Sequence, residues 1–132
     1  MNALAQSAAV ISALIYIAVF PTEAFLVERP AVQRFLRIAA ANVADIRLWA
    51  FSVGFRNLFA GIAALVGVVL LNTGDEVVGQ TLVLASCAYM FLAGITMGFA
   101  DWLGYYPHKG DGIPGTVAAS LPPLVALVAA LF

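Results

Sequence analysis

Apolar residues fill four long stretches of this chain, and most polar residues lie in the connections between them. A bilayer core about 30 Å thick is crossed by a helix of roughly 20 mostly apolar residues. Stretches of about that length cover residues 3–23, 48–71, 80–101 and 113–132. The pattern predicts an all-α fold, in which residues 1–132 form one integral membrane domain built as a four-transmembrane-helix bundle.

The connection between the first two stretches has a helical pattern of its own. Pro30 suits the first turn of a helix, and apolar side chains then recur at helical spacing at Val32, Phe35, Leu36, Ala39 and Val43. The pattern predicts a short amphipathic interfacial helix over residues 30–44, with Arg34 and Arg37 at anionic lipid headgroups. A docking surface for the cytoplasmic domain of a partner is the alternative.

Composition agrees with a membrane protein. The 132 residues are 64% hydrophobic and 10% charged, with a mean hydropathy of +1.02, and a soluble domain could not bury that much apolar surface. The first stretch does not resemble a secretory signal peptide, because Met1 to Ala13 contains no Lys or Arg. The single cysteine, Cys87, excludes an intrachain disulfide.

The distribution of cations predicts the orientation. The first connection carries Arg29, Arg34, Arg37 and Arg47, and the third carries Lys109. The second connection, over residues 72–79, has only Asp75 and Glu76. Under the positive-inside rule, both termini lie outside the cytoplasm. An aromatic belt at the cytoplasmic interface gives the same topology, and its members are Trp49, Trp102, Tyr105 and Tyr106.

Arg56 is the costliest residue of the second stretch, since a central arginine costs about 2.5 to 3.5 kcal/mol on insertion scales. An ion pair with Glu23 or Asp101 would reduce that cost, and snorkelling of the long side chain toward headgroups is the alternative. Asn57 points about 100° away around the helix and is expected to hydrogen-bond a neighbouring helix. We expect a structural ion pair here in preference to a transport role.

Small residues indicate where helices approach one another. Pairs spaced four residues apart, which favour close backbone contact, are Gly94 with Gly98 and Ala63 with Gly67. The sequence alone does not tell whether these pairs face another helix of this chain or a second protein. Pro122 and Pro123 predict a bend in the last stretch.

The sequence lacks the residues that several kinds of functional site require. His108 is the only histidine, so the chain cannot supply two histidines to a haem, and neither a phosphate-binding loop nor a Cys-x-x-Cys pair is present. Asp101, His108 and Asp111 have no metal-ligand spacing to support a divalent-ion site. No nucleophile stands beside a base. The sequence therefore predicts no catalytic centre, no cofactor and no bound metal.

Four pieces of the chain, in order, resemble the landmarks of a known family. They are Glu23-Ala-Phe-Leu with Pro30, the run from Gly54 to Gly61, the run from Ala93 to Gly98, and Leu121-Pro122 with Leu124. Together they resemble a small bacterial integral-membrane family, domain of unknown function 1304. The resemblance implies a four-helix membrane bundle in the bacterial plasma (inner) membrane, and it implies no activity.

The chain departs from that family at several polar positions. Tyr16 stands where the family has a histidine, and Arg56 where it has a tyrosine. Ser52 and Val53 replace an Asn-Gln pair, and Ala119 replaces a glutamine. The departures favour a divergent member that is adapted to a specific partner.

Two functions follow as expectations. The first is an accessory, structural or assembly subunit that packs against a larger membrane complex, respiratory or transport-related. The alternative is a small oligomeric transporter or channel that uses Arg56 and Glu23; a membrane-embedded enzyme is a weaker third reading. The expected partners are anionic lipids at the cytoplasmic face and larger membrane subunits or further copies of the chain, with no nucleic acid.

Overall fold

The computed structural model describes all 132 residues, and every regular element in it is helical. The elements are α1 (Ala3–Ala24), α2 (Pro30–Leu36), a short 3₁₀ turn (Ala40–Asn42), α3 (Val43–Thr73), α4 (Glu76–Trp102) and α5 (Ile113–Ala129). The predicted all-α class is confirmed.

Three of these helices are long and apolar enough to cross a membrane, namely α1, α3 with its preceding turn, and α4. The fourth apolar helix, α5, has 17 residues, which at 1.5 Å per residue makes it about 26 Å long. It begins where the sequence predicts and ends at Ala129 rather than Phe132. Its length lies at the lower end of what a bilayer crossing needs.

The four long helices form a closed ring in the order α1, α3, α4, α5, with α5 back against α1 and little contact across the diagonal between α1 and α4. Neighbouring helices run antiparallel, as their contacts show: in α3, Gly54 lies against Ala24, Gly61 lies against Ala13 and Gly67 lies against Gly79. Asn2 Nδ2 donates a hydrogen bond to the carbonyl oxygen of Ala129 at 2.6 Å, which ties the two termini together. The opposite end of the ring holds the connections 25–42 and 103–112. We call it the basic end, because it carries five of the six Lys and Arg residues.

Small side chains occupy most of the bundle interior. Apart from the larger Met90, Val83 and Tyr16, the buried core consists mainly of alanines, which are Ala5, Ala8, Ala9, Ala13, Ala64, Ala126 and Ala129. Lipid tails are as apolar as these side chains, so helices in a bilayer associate by close packing instead of by the hydrophobic effect. An alanine-lined interior therefore favours short distances between helix backbones.

Glycines make the closest approaches. A Cβ built on Gly79 would lie 2.5 Å from the amide nitrogen of Leu71, and one on Gly67 would lie 2.9 Å from the carbonyl oxygen of Gly79. Gly94 packs in the same way against the α5 backbone, with Ala119 C at 2.9 Å from its hypothetical Cβ. Close α3–α4 and α4–α5 contacts thus depend on residues without side chains.

Of the four small residues that the sequence pattern indicates as helix contacts, three lie between helices of this chain. Gly67 contacts α4, and Gly94 and Gly98 contact α5, the latter at Thr116. Ala63 is half-buried, whereas the neighbouring Ala64 is fully buried. Since α3 turns Ala64 inward, Ala63 lies toward the edge of that contact.

The helix in the first connection, α2, is shorter than the predicted interfacial helix over residues 30–44. It ends at Leu36 instead of continuing to residue 44, because Arg37 adopts a left-handed conformation (φ 58°). The amide of Ile38 then donates to the carbonyl oxygen of Gln33 at 2.9 Å, which closes the helix end. The periodic apolar residue Val43 belongs to the first turn of α3. No residue of α2 is buried within the protein.

The last helix is continuous through its two prolines. Pro122 and Pro123 lack the amides that would bond the carbonyls of Ala118 and Ala119. The hydroxyl of Ser120 donates to the carbonyl oxygen of Thr116 in the preceding turn. Pro123 is buried among the helices and Pro122 is half-buried, and neither proline ends α5.

Candidate functional site

Polar side chains at and near the basic end form four sets of contacts, centred on Glu23, Asp101, Asp111 and Glu28. The first set, at Glu23, joins α1 to α3. Asn57 Nδ2 donates a hydrogen bond to Glu23 Oε2 at 2.6 Å, and both residues are half-buried. Gly54, one turn before Asn57, lets the two backbones approach: its hypothetical Cβ would lie 3.1 Å from the amide nitrogen of Ala24. The bond therefore runs from Asn57 in α3 to the neighbouring helix α1.

Arg56 lies on a different face. Its side chain is exposed on the outer surface of α3, and none of the ion pairs within 4.0 Å includes it. The predicted ion pair of Arg56 with Glu23 or Asp101 is therefore wrong. The physical reason is rotation around the helix: α3 contacts α1 through Gly54 and Gly61, and successive residues differ by about 100°.

Asp101 holds the connection 103–112 in place through hydrogen bonds to its backbone. Its buried carboxylate accepts the amide of Gly110 at 2.9 Å on each oxygen and the amide of Gly112 at 3.5 Å. Gly110 has φ 99°, a turn conformation that suits glycine. The charge that could have paired with Arg56 is thus used by backbone donors at the end of α4.

Asp111 links the two connections of the basic end. Arg37 Nη2 lies 3.7 Å from Asp111 Oδ1, and His108 Nδ1 lies 3.4 Å from Asp111 Oδ2. Arg37, predicted to contact lipid headgroups, has a half-exposed side chain in this pair, while Arg34 is exposed. Nearby, burial and the charges of Asp101 and Asp111 raise the pKa of the Tyr106 phenol.

No group of three or more His, Cys, Asp or Glu side chains is arranged to hold a metal ion. Asp101 directs its carboxylate at backbone amides, while His108 and Asp111 face each other. The arrangement does not form the ligand shell that the three residue types would need for a divalent cation.

An open apolar groove of about 470 Å³ lies between the turn after α1 and the first turns of α3. Its lining is Ala24, Phe25, Val27, Glu28, Arg47, Leu48 and Phe51. At its mouth, Arg47 Nη1 lies 3.0 Å from Glu28 Oε1, and both side chains are more exposed than buried. We call this feature the Glu28–Arg47 groove.

Sequence reasoning missed the Glu28–Arg47 groove. The sequence does place a cation and an anion at neighbouring ends of two apolar stretches. Arg47 directly precedes the second stretch, and Glu28 follows the first. Their pairing depends on how the connection 25–42 folds back, and that fold includes the left-handed Arg37, which no local pattern indicates.

Phenylalanines on the outer surface of α1 and α3 surround the groove and continue along the bundle. Ring centroids of neighbouring pairs lie 4.8 to 6.3 Å apart, mostly in edge-to-face geometry. The members are Phe20, Phe25, Phe51, Phe55 and Phe59. Edge-to-face pairs of this kind add modest stabilisation beyond burial, so the cluster stabilises the contact between α1 and α3.

Tyr16 occupies the middle of the bundle. It is 6% exposed, and its hydroxyl donates to the carbonyl oxygen of Met90 in α4 at 2.5 Å. No buried side-chain nitrogen or oxygen lacks a hydrogen-bond partner. The buried polar side chains therefore all have hydrogen-bond partners within the protein.

A family model described as protein of unknown function (DUF1304) matches residues 10–131, nearly the whole chain. No curated protein matches the chain, and no solved structure matches it.

Proposed function

We propose the following function for this chain, which belongs to the DUF1304 family: it is a small integral membrane protein without its own catalytic centre that packs, as an accessory, structural or assembly subunit, against a larger membrane protein complex. One observation carries the proposal. Arg56 is exposed on the outer surface of a helix that is long and apolar enough to span a membrane, and it has no carboxylate partner within its own chain.

The position of Arg56 makes a partner's carboxylate the most favourable solution. It lies eight residues beyond Leu48, hence about 12 Å into the apolar part of α3 at 1.5 Å per residue. A cation at that depth is costly unless it is paired or reaches the headgroups. An acidic side chain on a helix of another subunit would supply the missing charge.

The residues around Arg56 suit such a contact. Ser52 and Ala60 lie one turn before and one turn after it on the same face of α3. Both are small, so a partner helix can approach the α3 backbone closely and reach the guanidinium. Phe59 beside them is 61% exposed and offers apolar contact area.

The interior of the bundle supports a packing role. Polar groups there are paired with the chain's own backbone, as Tyr16 is with Met90 and Ser12 with Ala8. Alanine and glycine fill most of the remaining contacts between helices. This arrangement favours a subunit that contributes surface, and it offers little for a solute to bind.

A small oligomeric transporter or channel is the alternative, and Glu23 is the observation that favours it. Its carboxylate is half-buried inside α1, with Asn57 as its side-chain partner. However, Glu23 faces α3 and Arg56 faces outward, so the two would line one path only if different copies of the chain contributed them.

The same proposal includes the placement in the membrane. All four long helices cross the bilayer, with α5 as a short crossing, and α2 lies at the headgroups with Arg34 against anionic phosphates. Five of six cations are at the basic end, which supports a cytoplasmic basic end and termini outside the cytoplasm in a bacterial inner membrane.

The experiment is gentle extraction from the native membrane followed by mass analysis of intact assemblies. The wild-type chain is expected to co-purify with larger subunits in fixed stoichiometry, and Arg56→Leu is expected to lose them while keeping its helix content. Arg34→Leu, with the same charge change on exposed α2, is the control and should retain them. Self-assembly alone, together with a solute flux that Arg56→Leu abolishes, would establish the transporter instead.

A further inference from the structure

The Glu28–Arg47 groove combines an apolar wall with a pair of opposite charges at one level of the bundle. Leu48, Phe25 and Phe51 are 71%, 60% and 44% exposed, so the wall is open to the surroundings. Arg47 and Glu28 sit at the mouth with exposed side chains, 3.0 Å apart. An amphiphile with charged groups at one end matches this arrangement.

The level of the groove along the bundle agrees with such a ligand. Arg47 precedes Leu48, where the apolar part of α3 begins, and Glu28 follows the end of α1. In a membrane these positions fall where hydrocarbon meets headgroups. The molecules that surround the groove at that depth are phospholipids.

We propose that the Glu28–Arg47 groove binds a phospholipid with a primary-amine headgroup, of the phosphatidylethanolamine class. The phosphate accepts hydrogen bonds from the Arg47 guanidinium, and the ammonium donates to the Glu28 carboxylate. The first carbons of an acyl chain lie along Phe25 and Phe51.

The chemistry of the two side chains selects this headgroup. A guanidinium presents a planar fork of N–H donors that fits phosphate oxygens. An ionised carboxylate only accepts hydrogen bonds. Arg47 lies at Glu28 Oε1, so Glu28 Oε2 is the oxygen that can accept a further donor. A primary ammonium supplies N–H donors, whereas a quaternary ammonium has none and a glycerol headgroup carries no positive charge. Of these three headgroups, only the primary-amine zwitterion combines a phosphate for Arg47 with a positively charged N–H donor for Glu28.

Lipid retention measured on the detergent-purified, full-length chain tests the proposal. Phosphatidylethanolamine, phosphatidylcholine and phosphatidylglycerol with identical acyl chains are titrated separately, and bound lipid is counted by native mass spectrometry. The wild type should bind phosphatidylethanolamine about tenfold more tightly than phosphatidylcholine, the effect of one charge-assisted hydrogen bond.

Two single variants separate the two contacts. Arg47→Gln should weaken binding of all three lipids by about tenfold because it removes the phosphate contact. Glu28→Gln should abolish the difference between phosphatidylethanolamine and phosphatidylcholine. Lys109→Gln, which removes a charge from the connection 103–112 outside the groove, is the matched control and should change none of these values.

A charge-reversed double variant controls for folding. Glu28→Arg combined with Arg47→Glu keeps an ion pair at the mouth but exchanges its polarity, so helix content should be unchanged and the preference for the primary amine lost. Equal wild-type binding of phosphatidylethanolamine and phosphatidylcholine would overturn the proposal. So would a preference that survives the double variant, or a Lys109→Gln loss as large as that of Arg47→Gln. None of these results bears on Arg56 and the co-purification of subunits.

Discussion

Asn57 and Glu23 join α3 to α1 through a hydrogen bond of 2.6 Å between the Asn57 amide and the Glu23 carboxylate. The bond lies next to the close helix approach at Gly54 and at the same end of the ring as the ion pairs of the connections. It places the polar bridge on the inner face of α3, whereas the adjacent Arg56 is exposed.

Replacing Asn57 by Leu should lower the free energy of unfolding by about 1 to 3 kcal/mol, because the half-buried Glu23 carboxylate loses its donor. Glu23→Gln should be milder, since a glutamine oxygen still accepts the Asn57 bond. Thermal unfolding in detergent, followed by circular dichroism, measures both. Equal losses for the two variants would contradict a dependence on this hydrogen bond.

Gly79→Ala should weaken the contact between α3 and α4. The added methyl would meet the backbone nitrogen of Leu71 at 2.5 Å, and backbone cannot move aside as a side chain can. We expect a loss of about 1 to 3 kcal/mol, as for other overpacked sites.

Gly115→Ala is the matched control for that substitution. Its methyl would meet the flexible side chain of Met97, with Sδ at 3.2 Å, and alanine favours the helix over glycine by about 1 kcal/mol. Unfolding in detergent should therefore show little loss for Gly115→Ala. A loss as large as that of Gly79→Ala would mean that any added methyl group is harmful, whatever it meets.

Asp101→Ala should open the connection 103–112 without unfolding the bundle. Gly110 and Gly112 lose the carboxylate that accepts their amides, so hydrogen exchange at these two amides should accelerate strongly. Asp111→Ala removes the longer contacts with the more exposed Arg37 and His108 side chains and should have a smaller effect, since ion pairs with solvent-exposed partners contribute about 0 to 1 kcal/mol. Unchanged protection of these amides from hydrogen exchange in Asp101→Ala would show that the turn is stable without the carboxylate.

The orientation can be measured by cysteine labelling in a Cys87→Ser background with a membrane-impermeant reagent. Lys109→Cys at the basic end should react only from the cytoplasmic side, and Thr73→Cys at the opposite end only from outside. The expectation follows from the five cations of the basic end. Reaction of Lys109→Cys from the outside would invert the topology.

The positions of the helices follow from the amino-acid pattern alone. Lipid provides no partner for backbone amides, so each long apolar stretch must satisfy its own hydrogen bonds as a helix, and α1, α3, α4 and α5 follow the four stretches closely. The expected length of the interfacial helix was wrong, since Arg37 adopts a left-handed conformation that the apolar spacing does not reveal.

The directions in which the polar side chains face depend on how the helices pack. Arg56 and Asn57 are adjacent in sequence, and the contact of Gly54 and Gly61 with α1 turns Asn57 toward Glu23 and leaves Arg56 outside. Likewise, Glu28 meets Arg47 only because the connection 25–42 folds back on α3. Hydropathy determines that a helix exists, but its rotation and its neighbours depend on contacts between residues distant in sequence, which a linear pattern does not contain.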